Sequence, residues 1–138
     1  MMKLELSGKV DALWDRLHPI LLKFNKELVK TDPVLIQSVN RRSNNAFLMI
    51  GQAAFRKNND GDELVIEIAI QSADNKMWIT SDVCMDSGEI IADGPTAIID
   101  LSGDEGSIDR AVDDWLQEFE EFFAQSKPTI VTRILNLR

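Results

Sequence analysis

The first thirty residues carry apolar side chains at steps of three and four. Within residues 7–30, the residues that recur in this way are Val10, Leu13, Trp14, Leu17, Ile20, Leu21, Phe24 and Leu28. This spacing places them on one face and predicts an amphipathic helix, with Ser7 as its N-cap. The segment TDP at 31–33 ends the helix, because a residue before proline avoids helical backbone angles. Pro19 predicts a kink near His18 or a break into two shorter helices.

From Val34 onward the apolar period changes to two, which is typical of β-strands. The strands predicted from this alternation span residues 34–40, 46–57, 63–71, 77–85 and 90–101. We expect a bulge at Gly51, a tight hairpin turn at Asp60-Gly61 and an interruption of the last strand at Gly94-Pro95. The links are short and contain no crossover helix. The pattern therefore predicts an antiparallel meander and excludes a parallel nucleotide-binding sheet.

A second amphipathic helix is predicted over residues 107–125. Its apolar arc consists of Ile108, Ala111, Val112, Trp115, Leu116, Phe119, Phe122 and Phe123. The tail that follows Pro128 fits either a short helix or an edge strand over residues 129–137. The predicted fold is one α+β domain over residues 1–138, in which a five-stranded antiparallel meander carries an N-terminal and a C-terminal helix on one face.

The charge of the chain is unevenly distributed. The 138 residues have a net charge of −8. Residues 1–59 carry ten bases and five acids, net +5, whereas residues 60–138 carry 18 acids and five bases, net −13. Asp100–Glu121 alone holds nine carboxylates and one arginine. This balance argues against non-specific binding of nucleic acid or anionic membranes and favours a basic protein partner.

The acidic stretch matches neither a metal loop nor an acid/base site. An EF-hand loop starting at Asp100 would need glycine at its sixth position and glutamate at its twelfth, where this chain has Glu105 and Ala111. The helical acids lie outside the apolar arc and face water, so no carboxylate is nominated for catalysis. Two interpretations remain, a capped and solvated helix or an acidic binding surface. The binding surface would consist of Asp104, Glu105, Asp109, Asp113, Asp114, Glu118 and Glu121.

The remaining chemistry-bearing residues predict a protein without catalytic residues, metal or cofactor. His18 is the only histidine and cannot form a zinc site alone, and acidic neighbours would raise the pKa of the Cys84 thiol. No nucleotide-binding or nucleophile motif is present. The single cysteine, the lack of a bilayer-length apolar run and an N-terminus unlike a signal peptide predict a cytoplasmic protein.

Trp78 is the one tryptophan outside the predicted core. It alternates with Thr80 and Asp82, so it should lie on the face of the sheet that the helices leave open. Exposed tryptophans are frequent binding anchors, and Trp78 is therefore a candidate binding residue. If this open face or the tail is sticky, a homodimer is expected.

The size, acidity and helix–sheet–helix order are similar to those of two groups of small bacterial proteins, effector-secretion chaperones and toxin-neutralising immunity proteins. The chaperones usually carry a helix in mid-sheet, where this chain has only the turn SADNK at 72–76. The leading hypothesis is a non-catalytic protein-binding module, of inhibitor, immunity or chaperone-like type, that meets a basic partner. The alternative is a small-ligand carrier with a pocket between sheet and helices, near Met49, Met77 and Met85.

Overall fold

Both amphipathic segments form helices, and the chain between them forms one antiparallel sheet. The computed structural model describes residues 3–138 and the side chains of residues 5–138. The elements in chain order are α1 (Lys3–Val29), β1 (Ile36–Arg42), β2 (Met49–Arg56), β3 (Leu64–Ala73), β4 (Lys76–Met85), β5 (Ile90–Asp93), β6 (Ala97–Asp100) and α2 (Glu105–Leu135). The predicted α+β class and the antiparallel meander flanked by two helices are confirmed.

Helix α1 is continuous through Pro19, so the predicted alternative of two shorter helices is wrong. Its apolar stripe is buried on both sides of the proline, at Val10, Leu13, Leu17, Leu21, Phe24 and Leu28. This burial outweighs the hydrogen bond to the Asp15 carbonyl that proline cannot donate. The predicted N-cap, Ser7, is also wrong, since it lies inside the helix. The helix ends at Val29, as the TDP segment predicted.

Helix α2 extends ten residues beyond its predicted C-terminal end, because the ambiguous tail continues it to Leu135 instead of forming an edge strand. The helix passes through Pro128 without a break. The tail keeps the helical spacing of buried residues, with Ile130 and Ile134 both 0% exposed. Asp104 is the N-cap, and its carboxylate accepts a hydrogen bond from the Ser107 amide.

The sheet order is β1-β2-β3-β4-β5, and β6 pairs with the same edge of β4 as β5. Gly94-Pro95 therefore does divide the last predicted strand. The predicted bulge at Gly51 is wrong: β2 pairs regularly there, and the register shift lies between Val83 and Cys84. Gly51 instead makes room for Trp14, because a Cβ atom there would lie 2.8 Å from the Trp14 ring.

The turn chemistry also differs from the expectation. Among residues 3–138, positive φ angles occur at Asp74, Asn75 and Gly88. The predicted tight turn at Asp60-Gly61 is wrong, since these residues lie in a longer loop that joins β2 to β3. The two-residue turn with positive φ at both central positions is instead Asp74-Asn75, between β3 and β4.

One apolar core fills the space between the sheet and the two helices. Phe24 of α1 stacks on Phe123 of α2 with ring centroids 3.6 Å apart, and Trp115 stacks on Phe119 at 5.1 Å. The Trp115 indole N–H donates to the Pro95 carbonyl at 3.0 Å, which ties α2 to the break between β5 and β6. Neither helix in the described part of the chain has an apolar stretch that could cross a bilayer.

Candidate functional site

The sheet surface opposite the helices, here called the open face, combines exposed apolar residues with carboxylates. No helix among residues 3–138 covers it. Its large exposed apolar residues are Ile36, Trp78, Ile90 and Ile98. Between them, Ile50, Ala54, Val65 and Ala69 are buried outside the main core cluster and form a flat apolar centre.

Trp78 lies on the open face, as the alternation in β4 predicted. Its side chain is 40% exposed, and its cross-strand neighbour Ile98 is 61% exposed. Non-polar pairs that face each other across strands expose contiguous apolar area. Trp78 and Ile98 therefore give this end of the sheet an apolar patch that a partner can cover.

A row of polar side chains crosses the open face at right angles to the strands. Gln52, Glu67, Asp82 and Asp93 are paired in register from β2 to β5. The Gln52 amide donates to the Glu67 carboxylate at 3.0 Å. Three carboxylates from adjacent strands thus lie side by side, and this arrangement attracts cations.

Asp82 is the member of this row whose carboxylate is partly buried and incompletely hydrogen-bonded. Its Oδ1 atom is buried and has no hydrogen-bond partner in the described chain. Burial raises the pKa of Asp82 above its ordinary value of 3.8, and the carboxylates of Glu67 and Asp93 raise it further, while a hydrogen bond with Cys84 acts in the opposite direction. A cationic group placed over this row would offset the cost of the buried, unpaired oxygen.

Cys84 lies two residues after Asp82 on the same face of β4, and its thiol is a poor nucleophile. Burial raises the pKa of the Cys84 thiol to about 12, and the charges of Asp82 and Glu67 act in the same direction. The thiolate, which is the reactive form, is therefore scarce at neutral pH. The direction of this shift agrees with the sequence prediction for a cysteine between acids.

We expect Asp82→Asn to stabilise the protein at neutral pH. A carboxyl whose folded pKa is raised holds more protons in the folded state than in the unfolded state, so the free energy of unfolding falls as pH rises from 3.8 through the folded pKa. The amide abolishes this term. Urea unfolding at about pH 4 and about pH 7 should show the gain at the higher pH only. Asp86→Asn, at an exposed turn, is the control, and an equal gain for both variants would contradict the role of Asp82.

Three of the predicted binding acids on α2 are engaged within the molecule. Asp104 caps the helix at 2.7 Å from the Ser107 amide, and this hydrogen bond lowers the Asp104 pKa. Glu105 pairs with Lys9 at 3.3 Å, and Asp113 pairs with Arg16. These acids begin α2 and join it to α1, so they have structural partners that the sequence did not reveal.

The other predicted binding acids are exposed on α2, and Asp109 also lines a cleft that α2 forms with α1. They are Asp109, Asp114, Glu118 and Glu121, and all four are exposed. Trp78 lies on the opposite side of the sheet from α2, so the structure does not bring the predicted binding residues together. It divides them between an acidic helix surface and the open face.

The loop before α2 uses its first carboxylate for a local turn. The Asp100 carboxylate accepts hydrogen bonds from the Ser102 amide and hydroxyl, which lower the Asp100 pKa. Among the residues that the structure describes, no three His, Cys, Asp or Glu side chains are grouped to hold a metal ion. His18 stacks on Trp14 with ring centroids 5.1 Å apart.

A cleft of about 400 Å³ lies between the first halves of α1 and α2. Leu13, Met77 and Ile108 line it, and its rim carries the Lys9–Glu105 ion pair. Of the three methionines proposed for a ligand pocket, Met77 lines this cleft, whereas Met49 is fully buried in the core. This cleft is flanked by both helices, whereas a second groove borders Pro19 on the other side of α1.

Comparison with family models, with curated proteins and with solved structures found no match for this chain. Sequence reasoning missed Glu67, Asp93, Ile90 and Ile98, although each falls in a predicted strand. Strand parity places a residue on a face, but only the register shows which side chains are neighbours.

Proposed function

We propose that the protein is a non-catalytic protein-binding module that meets a basic partner through its open face. One observation carries the proposal: exposed apolar residues and a row of three carboxylates share one uncovered surface. A cationic side chain of the partner would lie over Asp82 and its neighbours, while apolar side chains would cover Trp78 and Ile98. Both features support binding of a surface that is basic and partly apolar.

The acidic surface of α2 supports the same kind of partner from a distance. Exposed carboxylates at Asp114, Glu118 and Glu121 add to the negative field of a chain with net charge −8. Such a field accelerates encounter with a basic protein and disfavours nucleic acid and anionic membranes. In this proposal, contacts at the open face determine the affinity for the partner, and the charge of α2 raises the rate of association. An inhibitor or immunity-type protein of the cytoplasm fits this division, and the unpaired Cys84 supports a reducing compartment.

The first experiment is an affinity pull-down from the protein's own cell lysate at about 50 and about 500 mM salt, which bracket weak and strong screening. A stoichiometric basic protein retained at low salt and depleted at high salt is the expected result. Sedimentation of the purified protein tests the competing occupant, a second copy. A dimer that Trp78→Ala dissociates would replace the basic partner with self-association.

With the captured partner in hand, Trp78→Ala is expected to weaken binding at least tenfold through faster dissociation, with nearly unchanged thermal stability. Leu135→Ala removes another exposed apolar side chain, 55% exposed on α2, and is the matched control with unchanged affinity. Glu118→Lys with Glu121→Lys should instead slow association and reduce its salt dependence. Unchanged affinity in Trp78→Ala would sink the assignment of the open face.

A small-ligand carrier is the second candidate, and the cleft between α1 and α2 supports it. Its volume falls in the range of small-molecule sites. Apolar residues line its wall and charged residues its rim, a combination that suits an amphipathic ligand. Native mass spectrometry of the purified protein distinguishes the two functions. A co-purifying small molecule, together with no retained protein at either salt concentration, would favour the carrier.

A further inference from the structure

We propose that the groove between α1 and the edge strand β1 binds an extended acidic segment of a partner protein, which pairs with the free edge of β1. This surface differs from the open face, and the charge of its ligand is opposite. Binding at this groove therefore goes beyond the proposed function and is independent of it.

The groove has a volume of about 490 Å³ and lies along the outer side of α1. Its lining residues are Pro19, Leu22, Lys23, Asn25 and Lys26 of α1 and Gln37 of β1. Leu22 is 46% exposed, although the other large apolar residues of α1 whose side chains the structure describes are buried more deeply. The groove thus offers an apolar wall beside a strand.

The charge of the groove is opposite to that of the chain as a whole. Lys23 and Lys26 are both exposed, and no carboxylate lines the groove. The exposed Arg42, at the far end of β1, lies on the open face and not in the groove, because it is paired with Ile50. In a protein of net charge −8, this local excess of positive charge selects an acidic ligand.

Strand β1 offers an edge for pairing. Within the described chain it pairs with β2 alone and ends the sheet, and six of its seven residues are exposed. Ile36, the first residue of β1 and part of the open face, is 38% exposed, and Val34, in the turn before the strand, is 69% exposed. Extended peptides bind such edges through main-chain hydrogen bonds and use alternate side chains for specificity.

Asn25 provides the independent evidence for a ligand. Its side chain is only 3% exposed, and its amide nitrogen donates to the Ser38 carbonyl at 3.4 Å. Its Oδ1 atom is buried and lacks a hydrogen-bond donor. Buried amide oxygens are normally paired, and a backbone N–H of a segment laid along β1 would supply the missing donor.

Charge favours a foreign acidic segment over a second copy of this chain. Pairing two β1 edges would bring the lysines and Arg42 of both copies to one edge, where like charges repel. A segment that alternates apolar and acidic residues would instead place its apolar side chains against Leu22 and its carboxylates near Lys23 and Lys26.

The test uses a fluorescent, end-capped peptide that alternates valine and glutamate and has the 7-residue length of β1. The same peptide with lysine in place of glutamate is the charge control. Fluorescence anisotropy at about 50 mM salt should show binding of the glutamate peptide and at least tenfold weaker binding of the lysine peptide. Amide hydrogen exchange should slow in β1 when the glutamate peptide is bound.

Lys23→Glu with Lys26→Glu should weaken the glutamate peptide at least tenfold. Lys76→Glu with Arg110→Glu changes the net charge equally at exposed sites away from the groove and should leave binding nearly unchanged. Trp78→Ala should also leave it unchanged, which separates this result from that of the open face. No binding, equal binding of both peptides, or equal losses in the two double variants would overturn the proposal. So would a dimer whose β1 amides are already protected without peptide.

Discussion

Replacing Phe119 with alanine is expected to lower the free energy of unfolding by about 4 kcal/mol. The ring is 0% exposed and lies between aromatic neighbours of both helices, with centroid distances of 5.1 Å to Trp115 and 5.7 Å to Phe24. Truncation removes buried apolar area, leaves a cavity and breaks the aromatic contacts that hold α2 against α1. Urea unfolding followed by circular dichroism measures the change.

Trp78→Ala is the matched control for this prediction, because it removes a larger aromatic side chain that is 40% exposed. We expect its effect on unfolding to be small compared with that of Phe119→Ala. A loss below about 1 kcal/mol for Phe119→Ala would fall outside the range for a buried aromatic residue and would contradict the packing of the two helices.

The second large effect is expected at Gly94, where valine should lower the free energy of unfolding by about 3 kcal/mol. A Cβ atom at Gly94 would overlap the Ser81 hydroxyl and lie 3.0 Å from the Phe122 ring. The Pro95 carbonyl next to it accepts hydrogen bonds from the Ser81 hydroxyl at 2.9 Å and from the Trp115 indole at 3.0 Å. Displacing this segment would strain or break both hydrogen bonds.

Gly8→Ala is the matched control, since a Cβ atom there meets nothing within 4 Å. At this helical position near the start of α1, alanine should stabilise the protein by about 0.5–1 kcal/mol through the lower conformational entropy of its unfolded state. Thermal unfolding should therefore move in opposite directions in the two variants. A tolerated Gly94→Val would mean that the junction between β5 and β6 is free to move.

The helices and strands were predictable because their apolar periods are long and regular, whereas their ends depended on competing local signals. Pro19 and Pro128 suggested breaks, yet both helices continue because buried residues flank each proline. Asp60-Gly61 has the composition of a tight turn, but the positive φ angles occur at Asp74 and Asn75. Tertiary packing keeps the two helices continuous through their prolines, and the register of β3 and β4 places the tight turn at Asp74-Asn75.

The candidate site was less predictable than the fold. Parity in β4 placed Trp78 on the open face correctly, because it depends only on counting along one strand. The carboxylate row exists because Glu67 pairs with Asp82 and Asp82 pairs with Asp93 across neighbouring strands. No local sequence pattern determines this register. The acids of α2 were conspicuous in the sequence, but their ion pairs with Lys9 and Arg16 required the relative placement of both helices.

The helical layer that packs on the sheet is formed by α1 and α2, which come from opposite ends of the chain, and this separation affects folding during synthesis. The side-chain contacts that join α1 to α2 link residues about a hundred positions apart, such as Lys9 with Glu105 and Glu27 with Lys127. Synthesis completes the sheet before α2, so the apolar surface that α2 covers stays exposed to water until α2 has been made and has emerged. High contact order of this kind slows folding and exposes the nascent chain to aggregation. A stalled chain that ends after β6 should therefore be captured by general chaperones, and extension through α2 should release it.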